Sequence, residues 1–246
     1  MNRQFDEKQA LRMYMKGLRS QLTKAEVSVR SAEVCRHILE GSFYKRAKAI
    51  LAYYPIGNEA DVRPVLEQAL ADGKAVGLPR VLDARRMEFY RVISLNELEP
   101  GPMKLMEPEK NCPRIVLSED RCLLKPALML VPGLAFCLYS EGESENIADG
   151  SAAFIGRMGY GGGFYDTWLD NFYRQCGGSP VKRAAGLIMP DRKMHESDAA
   201  AMPLVTCGVA YDFQLVKAAA LPAKRHDQRL HMLVTDKGMI TNPARG

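Results

Sequence analysis

ALMLVPGLAF, Ala127–Phe136, is short, uncharged and apolar, and it reads as the strongest β-strand of the chain. A buried strand needs partners. AILAYYP (Ala49–Pro55), AVGLPRV (75–81), MEFYRVI (87–93), RAAGLIM (183–189) and HMLVTD (231–236) are further short apolar runs that read as strands. Helical patterns lie between and before them. Leu11, Tyr14, Met15, Leu18 and Leu22 recur at helical spacing over the first twenty residues. TKAE, Thr23–Glu26, has the form of a capping box, and the helix it opens runs to about Glu40. DVRPVLEQALADG (61–73) reads as a helix closed by Gly73, and another helix starts near Phe164 and ends by Gly177. Strands alternating with helices predict a layered α/β fold with a largely parallel sheet. Ligands of such sheets sit beyond the carboxyl ends of strands, so the loops after AILAYYP and ALMLVPG are the places to look.

The 246 residues suit one large domain or two small ones, and the sequence shows no repeats and no clear linker. No apolar run reaches membrane-spanning length, and the first twenty residues lack the apolar centre of a secretion signal, so a cytoplasmic protein with no membrane association is expected. The six cysteines, at 35, 112, 122, 137, 176 and 207, form no C-x-x-C pair and read as reduced thiols. The four histidines match no zinc pattern. A net charge of +5 mildly favours anionic ligands and equally describes an ordinary surface. Nucleic-acid binding is disfavoured because such proteins cluster positive charge more strongly. Tyr139–Ala153, YSEGESENIADGSAA, is acidic and aperiodic, and is expected to be a mobile surface loop or lid. The segment from Pro190 to Pro222 holds a further strand or helix, and its pattern does not decide which.

IGRMGYGGGFYDTW, Ile155–Trp168, is the stretch richest in chemistry. Glycines let backbone N–H groups approach a ligand, and a run of them at a helix start suits phosphate. Arg157 adds a planar charged fork, and Asp166 an oxygen ligand for Mg²⁺. Neither the Walker A pattern nor G-x-G-x-x-G is present, which disfavours a dinucleotide-dependent dehydrogenase. From glycine content alone, a flexible turn with Asp166 on a solvated helix face stays open.

RMGYGGGFYD (157–166) resembles the signature R-x-G-x-G-x-G-[YF]-Y-D of the 5-formyltetrahydrofolate cyclo-ligase family, through Arg157, Gly159, Gly161, Gly163, Tyr165 and Asp166. KQALR (8–12), YYPIGNEADVRPVLEQAL (53–70) and LPAKRHDQRLHMLVTDKG (221–238) resemble its other segments, in the same order. The resemblance implies a single domain over 1–246, with an acidic insertion near 139–153. It implies a three-layer α/β fold of NagB/RpiA-like architecture, its largely parallel sheet flanked by helices. It also implies ATP-dependent conversion of 5-formyltetrahydrofolate to 5,10-methenyltetrahydrofolate, with ATP and Mg²⁺ as cofactors and a reduced folate as substrate.

Residue by residue, the resemblance places Lys8 and Arg12, which share a helical face, on the ATP phosphates, with Arg157, Gly159, Gly161, Gly162, Gly163, Phe164 and Tyr165 completing the nucleotide site. Glu59 and Arg157 are the implied catalytic pair, with Glu59 near N5 and N10 of the folate. Arg80 and Tyr165 are placed at the folate pocket, and Asp166 and Asp227 at the metal. Lys16 and Arg19 extend the basic stripe of the first helix and are expected on its solvated face. Cys137 stands where the family usually carries aspartate. A relative that keeps the scaffold but binds nucleotide or RNA without this reaction is the alternative, with RVLDARRMEFYR (80–91) as its basic patch.

Overall fold

The computed structural model describes residues 3–102, 105–117, 124–139, 154–176, 203–221 and 227–241, with side chains from Glu7 onward. In chain order the elements are α1 (Arg3–Ser20), α2 (Lys24–Glu40), α3 (Ser42–Arg46), β1 (Ala49–Leu51), α4 (Arg63–Ala71), β2 (Ala75–Val81), β3 (Met87–Val92), β4 (Leu98–Pro100) and β5 (Met106–Pro108). They continue with β6 (Ala127–Pro132), β7 (Ala135–Tyr139), β8 (Phe154–Met158), α5 (Phe164–Gln175), β9 (Leu204–Val209), β10 (Leu215–Val216), β11 (Met232–Thr235) and β12 (Gly238–Thr241). The expected strand at 183–189 and nearly all of the acidic segment lie outside the described residues.

Among the described residues a seven-stranded sheet runs in the order β12-β11-β9-β6-β1-β2-β3. β11, β9, β6, β1 and β2 are mutually parallel, while β3 and β12 pair antiparallel at the two edges. The open segment after 190 therefore supplies a central strand, β9, seated between β6 and β11.

Alternation along the strands divides the core into layers. Ile50, Val76, Leu78, Leu128 and Leu130 point into one cluster with Val34 and Ile38 of α2 and Val65, Leu66 and Ala69 of α4. Ala49, Leu51, Met129 and Val131 point the other way, onto Trp168, Leu169 and Phe172 of α5. Each fully buried valine, leucine, isoleucine or methionine among these contributes about 1.5–3 kcal/mol. The capping box at the start of α2 forms as expected: Glu26 N–H donates to Thr23 Oγ1 at 3.2 Å, and Thr23 N–H donates to Glu26 Oε2 at 2.8 Å.

The single strand expected over Ala127–Phe136 is two strands. β6 ends at Pro132, and after Gly133 the chain leaves the main sheet to enter a second one, of order β10-β7-β8. The reason lies in partners far away in sequence. Leu134 N–H donates to Met158 O at 2.8 Å. The buried Gln214 carboxamide donates to Gly133 O at 2.9 Å and Leu134 O at 3.1 Å, satisfying carbonyls that the break takes out of the ladder. The small sheet carries α1 on one side, where Met15, Leu11 and Leu18 pack with Leu134, Ala135, Cys137 and Tyr139. That docking places the polar stripe of α1 against the turn that follows β8. All described cysteines are unbridged, as expected.

Candidate active site

Three segments converge beyond the carboxyl ends of the parallel strands: the loop after β1, the glycine turn between β8 and α5, and α1. The loop after β1 is fixed by its own hydrogen bonds. Tyr53 OH donates to Ala60 O at 2.7 Å, and Tyr211 OH donates to Glu59 O at 3.2 Å. Asn58 Nδ2 donates to Arg19 O at 3.0 Å and Leu22 O at 2.9 Å, so the loop also holds the end of α1. Glu59 is 6 % exposed in this frame. Its Oε2 accepts from Ile56 N–H at 3.1 Å, and its Oε1 accepts from Tyr160 OH at 2.9 Å. Arg19 Nη1 stands 3.6 Å from Oε1. Burial raises the Glu59 pKa above the ordinary carboxylate value; the Arg19 charge and the hydrogen bonds from Ile56 and Tyr160 oppose that rise.

The glycine turn is shaped by two left-handed residues, Gly161 (φ 111°) and Gly163 (φ 69°), the latter being the N-cap of α5. A side chain at Gly159 would meet the Arg157 guanidinium at 2.8 Å, so glycine there leaves room for the arginine to fold across the turn. Gly162 is exposed, and the Phe164 ring lies back over it. Arg157 Nη2 donates to Asp166 Oδ2 at 2.8 Å, and Nη1 to Pro132 O at 3.3 Å at the end of β6. Its guanidinium lies 5.6 Å from the Tyr165 ring centre. The Tyr165 hydroxyl is buried with no hydrogen-bond partner among the described residues, and burial together with the nearby Glu59 charge raises its pKa.

α1 spans the turn. Lys8 Nζ donates to Asp227 Oδ2 at 3.3 Å, and Arg12 Nε donates to Gly159 O at 3.2 Å. Asp227 is drawn in because its neighbour Gln228 donates a backbone N–H to Asp166 Oδ1 at 3.2 Å, while Leu230 N–H donates to Ile155 O on β8 at 2.9 Å. Lys8, Arg12, Arg157, Gly159, Asp166 and Asp227 thus form one connected group, and Glu59 joins the same turn through Tyr160.

Arg80 stands apart from that group. On β2 it donates to Glu99 Oε1 at 2.8 Å and to Pro108 O, and it lines an open cavity of about 580 Å³ with Gly101, Glu109 and Lys110.

Two residues of the site were not expected there. Arg19 is 8 % exposed rather than solvated: it donates to Tyr160 OH, and its guanidinium lies 5.4 Å from the Tyr160 ring centre. The signal was available. At about 100° per residue, Arg19 falls about 20° from Lys8 and between it and Arg12, on the face that docks. Lys16 falls farther round; it is exposed, with Nζ 5.2 Å from the Tyr160 ring centre. Tyr160 itself is the one bulky side chain within Gly159–Gly163. Its hydroxyl pKa is pushed up to about 12, by desolvation first and the Glu59 charge second.

Comparison with known proteins places this geometry. The family model for the 5-formyltetrahydrofolate cyclo-ligase family matches residues 4–236. A probable 5-formyltetrahydrofolate cyclo-ligase of Schizosaccharomyces pombe is 24 % identical over 238 residues, covering 96 % of this chain and 98 % of the relative. The 5,10-methenyltetrahydrofolate synthetase structure of Aquifex aeolicus, 24 % identical, superposes with a TM-score of 0.64 over 97 % of this chain and 95 % of that one. That of Mycoplasma pneumoniae, 18 % identical, gives 0.58 over 93 % and 98 %. These two structures share the fold. With a model match over nearly its whole length, the chain belongs to the 5-formyltetrahydrofolate cyclo-ligase family.

Proposed function

We propose that this protein converts 5-formyltetrahydrofolate to 5,10-methenyltetrahydrofolate, using ATP and releasing ADP and phosphate. Family membership supports the reading. The observation that carries it on this chain is the gathering of Lys8, Arg12 and Arg157 around a glycine turn whose neighbour across Tyr160 is the buried Glu59.

The residues divide the work by charge. Lys8, Arg12 and Arg157 are cations placed for a triphosphate, with the backbone of Gly159–Gly163 and the start of α5 supplying N–H donors. Glu59 is placed for the folate, where a fixed carboxylate orients and holds a proton at the N5 and N10 centre. Tyr165 packs beside Arg157 and its hydroxyl feels the Glu59 charge, which suits it to a place where the nucleotide and folate parts of the site meet. Arg80 is assigned to the folate pocket by the family resemblance alone, since it stands apart from the other site residues.

Asp166 and Asp227 suit Mg²⁺. They offer hard oxygen donors on adjoining segments, and this ion commonly takes only one or two carboxylates beside phosphates and water. When bound, Mg²⁺ neutralises charge on the phosphates. The partners that Asp166 and Asp227 now hold, Arg157 and Lys8, are the same cations assigned to the phosphates. Bringing in a metal and a polyanion together therefore exchanges one set of ion pairs for another, with none of these four side chains left facing no opposite charge.

The test is the absorbance of methenyltetrahydrofolate appearing from the 5-formyl compound with Mg-ATP. ATP-dependent absorbance growth is expected. Its absence in folded protein that still binds nucleotide or RNA would replace the reading with that of a non-catalytic relative.

A further inference from the structure

Glu59 is more buried than the other carboxylates of the site, Asp166 and Asp227, and two side chains from other elements hold it. Arg19 ends α1, and Tyr160 stands in the glycine turn. The three form a closed triangle: Arg19 donates to Tyr160 OH, Tyr160 OH donates to Glu59 Oε1 at 2.9 Å, and Arg19 Nη1 lies 3.6 Å from that same oxygen. Both members of the ion pair are largely buried, with side-chain exposures of 10 % and 6 %. The other Glu59 oxygen takes the Ile56 N–H, so the carboxylate is held at both ends. Asn58 fixes the Arg19 carbonyl from the same loop, which keeps α1 and Glu59 in register.

We propose that Arg19 and Tyr160 are positioning residues for Glu59: the guanidinium, directly and through the phenol, fixes the place of the carboxylate and supplies the positive charge that faces it. Arg19 is thus distinct from Lys8 and Arg12, which share its helix face but reach Asp227 and Gly159. The inference rests on the reading of Glu59 as the folate-side carboxylate only for its catalytic consequence; the geometry itself is independent of the reaction.

The direction of the effect follows from what surrounds Glu59. Arg19 comes from α1 and Tyr160 from the glycine turn, while the Tyr165 and Tyr53 hydroxyls feel its charge from α5 and from its own loop. Arg19 is the only formal positive charge among these. Removing it leaves burial unopposed by charge, so the carboxyl titrates higher.

The test uses full-length protein with ¹³C-carboxyl-labelled glutamate. The Glu59 resonance is identified by its loss in Glu59→Gln. In Arg19→Met its titration midpoint is expected to rise by about one pH unit or more, with Arg19→Lys restoring about half of that shift and Tyr160→Phe raising it less. The acid limb of kcat/KM for cyclisation moves by the same amounts. A midpoint unmoved in both Arg19→Met and Tyr160→Phe overturns the proposal. If Arg19→Met does not fold, Tyr160→Phe decides alone by that criterion. A shifted midpoint in protein without cyclisation activity removes the proposed reaction and leaves the positioning role standing.

Discussion

Glu59 and His231 are both buried ionisable side chains, yet one is surrounded by partners from several elements and the other has almost none. Glu59 sits beyond the carboxyl end of β1 and is met by α1, by the glycine turn and by its own loop. His231 sits just ahead of β11 in the sheet interior, where Nδ1 accepts the Thr206 N–H at 2.9 Å and lies 2.7 Å from Thr206 Oγ1, and Nε2 has no partner among the described residues. Burial alone lowers its pKa to about 4. The contrast separates two consequences of burial. A group shifted only by desolvation becomes a neutral part of the core. A group whose desolvation is opposed by a cation and by hydrogen bonds from several elements is held in a fixed place where a ligand can meet it.

The sharpest way to break the comparison is Glu59→Gln. The variant keeps the shape and one of the two acceptor oxygens but removes the charge, so turnover is expected to fall by about 10²–10⁴-fold, far more than the stability lost with one displaced hydrogen bond and the Arg19 ion pair. A loss of stability matching the loss of turnover would make Glu59 a core residue of the His231 kind.

His231 gives the converse result. The native imidazole stays neutral until about pH 4, whereas the unfolded one protonates near its ordinary value of 6.5. The unfolded state therefore binds more protons between these values, and stability falls as pH drops through that window, by roughly 3 kcal/mol in all. Urea unfolding at a series of pH values should show this component in the native protein and lack it in His231→Gln, with cyclisation activity at neutral pH little changed. A slope that persists in the variant assigns the acid sensitivity elsewhere.

Arg12→Ala sharpens the comparison on the ligand side. Arg12 has one described partner, the Gly159 carbonyl, and is assigned to phosphate. ATP affinity measured by calorimetry is expected to weaken about 10- to 100-fold, as befits one charged hydrogen bond. Unchanged affinity would return Arg12 to a purely structural role between α1 and the turn.

Gly163→Ala is the smallest expected effect. Nothing lies within 4 Å of the added carbon, so its cost is the left-handed backbone alone, about 1 kcal/mol in denaturant unfolding. A much larger loss would mean that the turn, like the Glu59 loop, is held by contacts rather than by its own conformation.

The layered α/β fold, the ends of most helices and the capping box at Thr23 were readable because each depends on residues a few positions apart. So was the glycine turn, whose positive φ values demand that residue type. The long apolar run at 127–136 misled, because hydrophobicity reports burial and not which sheet does the burying. Arg19 was misplaced although its helical angle sets it between Lys8 and Arg12; what was not legible was its partner. A basic residue on an exposed-looking stripe carries no mark of the carboxylate that will meet it. Tyr160 was hidden by the glycines around it, which drew the reading toward the backbone.

Sequence by itself determined the periodicities, the turn and the kinds of charge available, since these follow from backbone sterics and side-chain chemistry within a few residues. Only the tertiary structure decided which charges meet. Lys8 and Asp227 are 219 residues apart, Arg12 and Gly159 147, and Glu59 and Tyr160 101. Such pairings arise when α1 docks on the small sheet and the strand ends come level. Buried ions must find partners there, and local pattern does not choose among the thirty-four basic and twenty-nine acidic side chains of the chain.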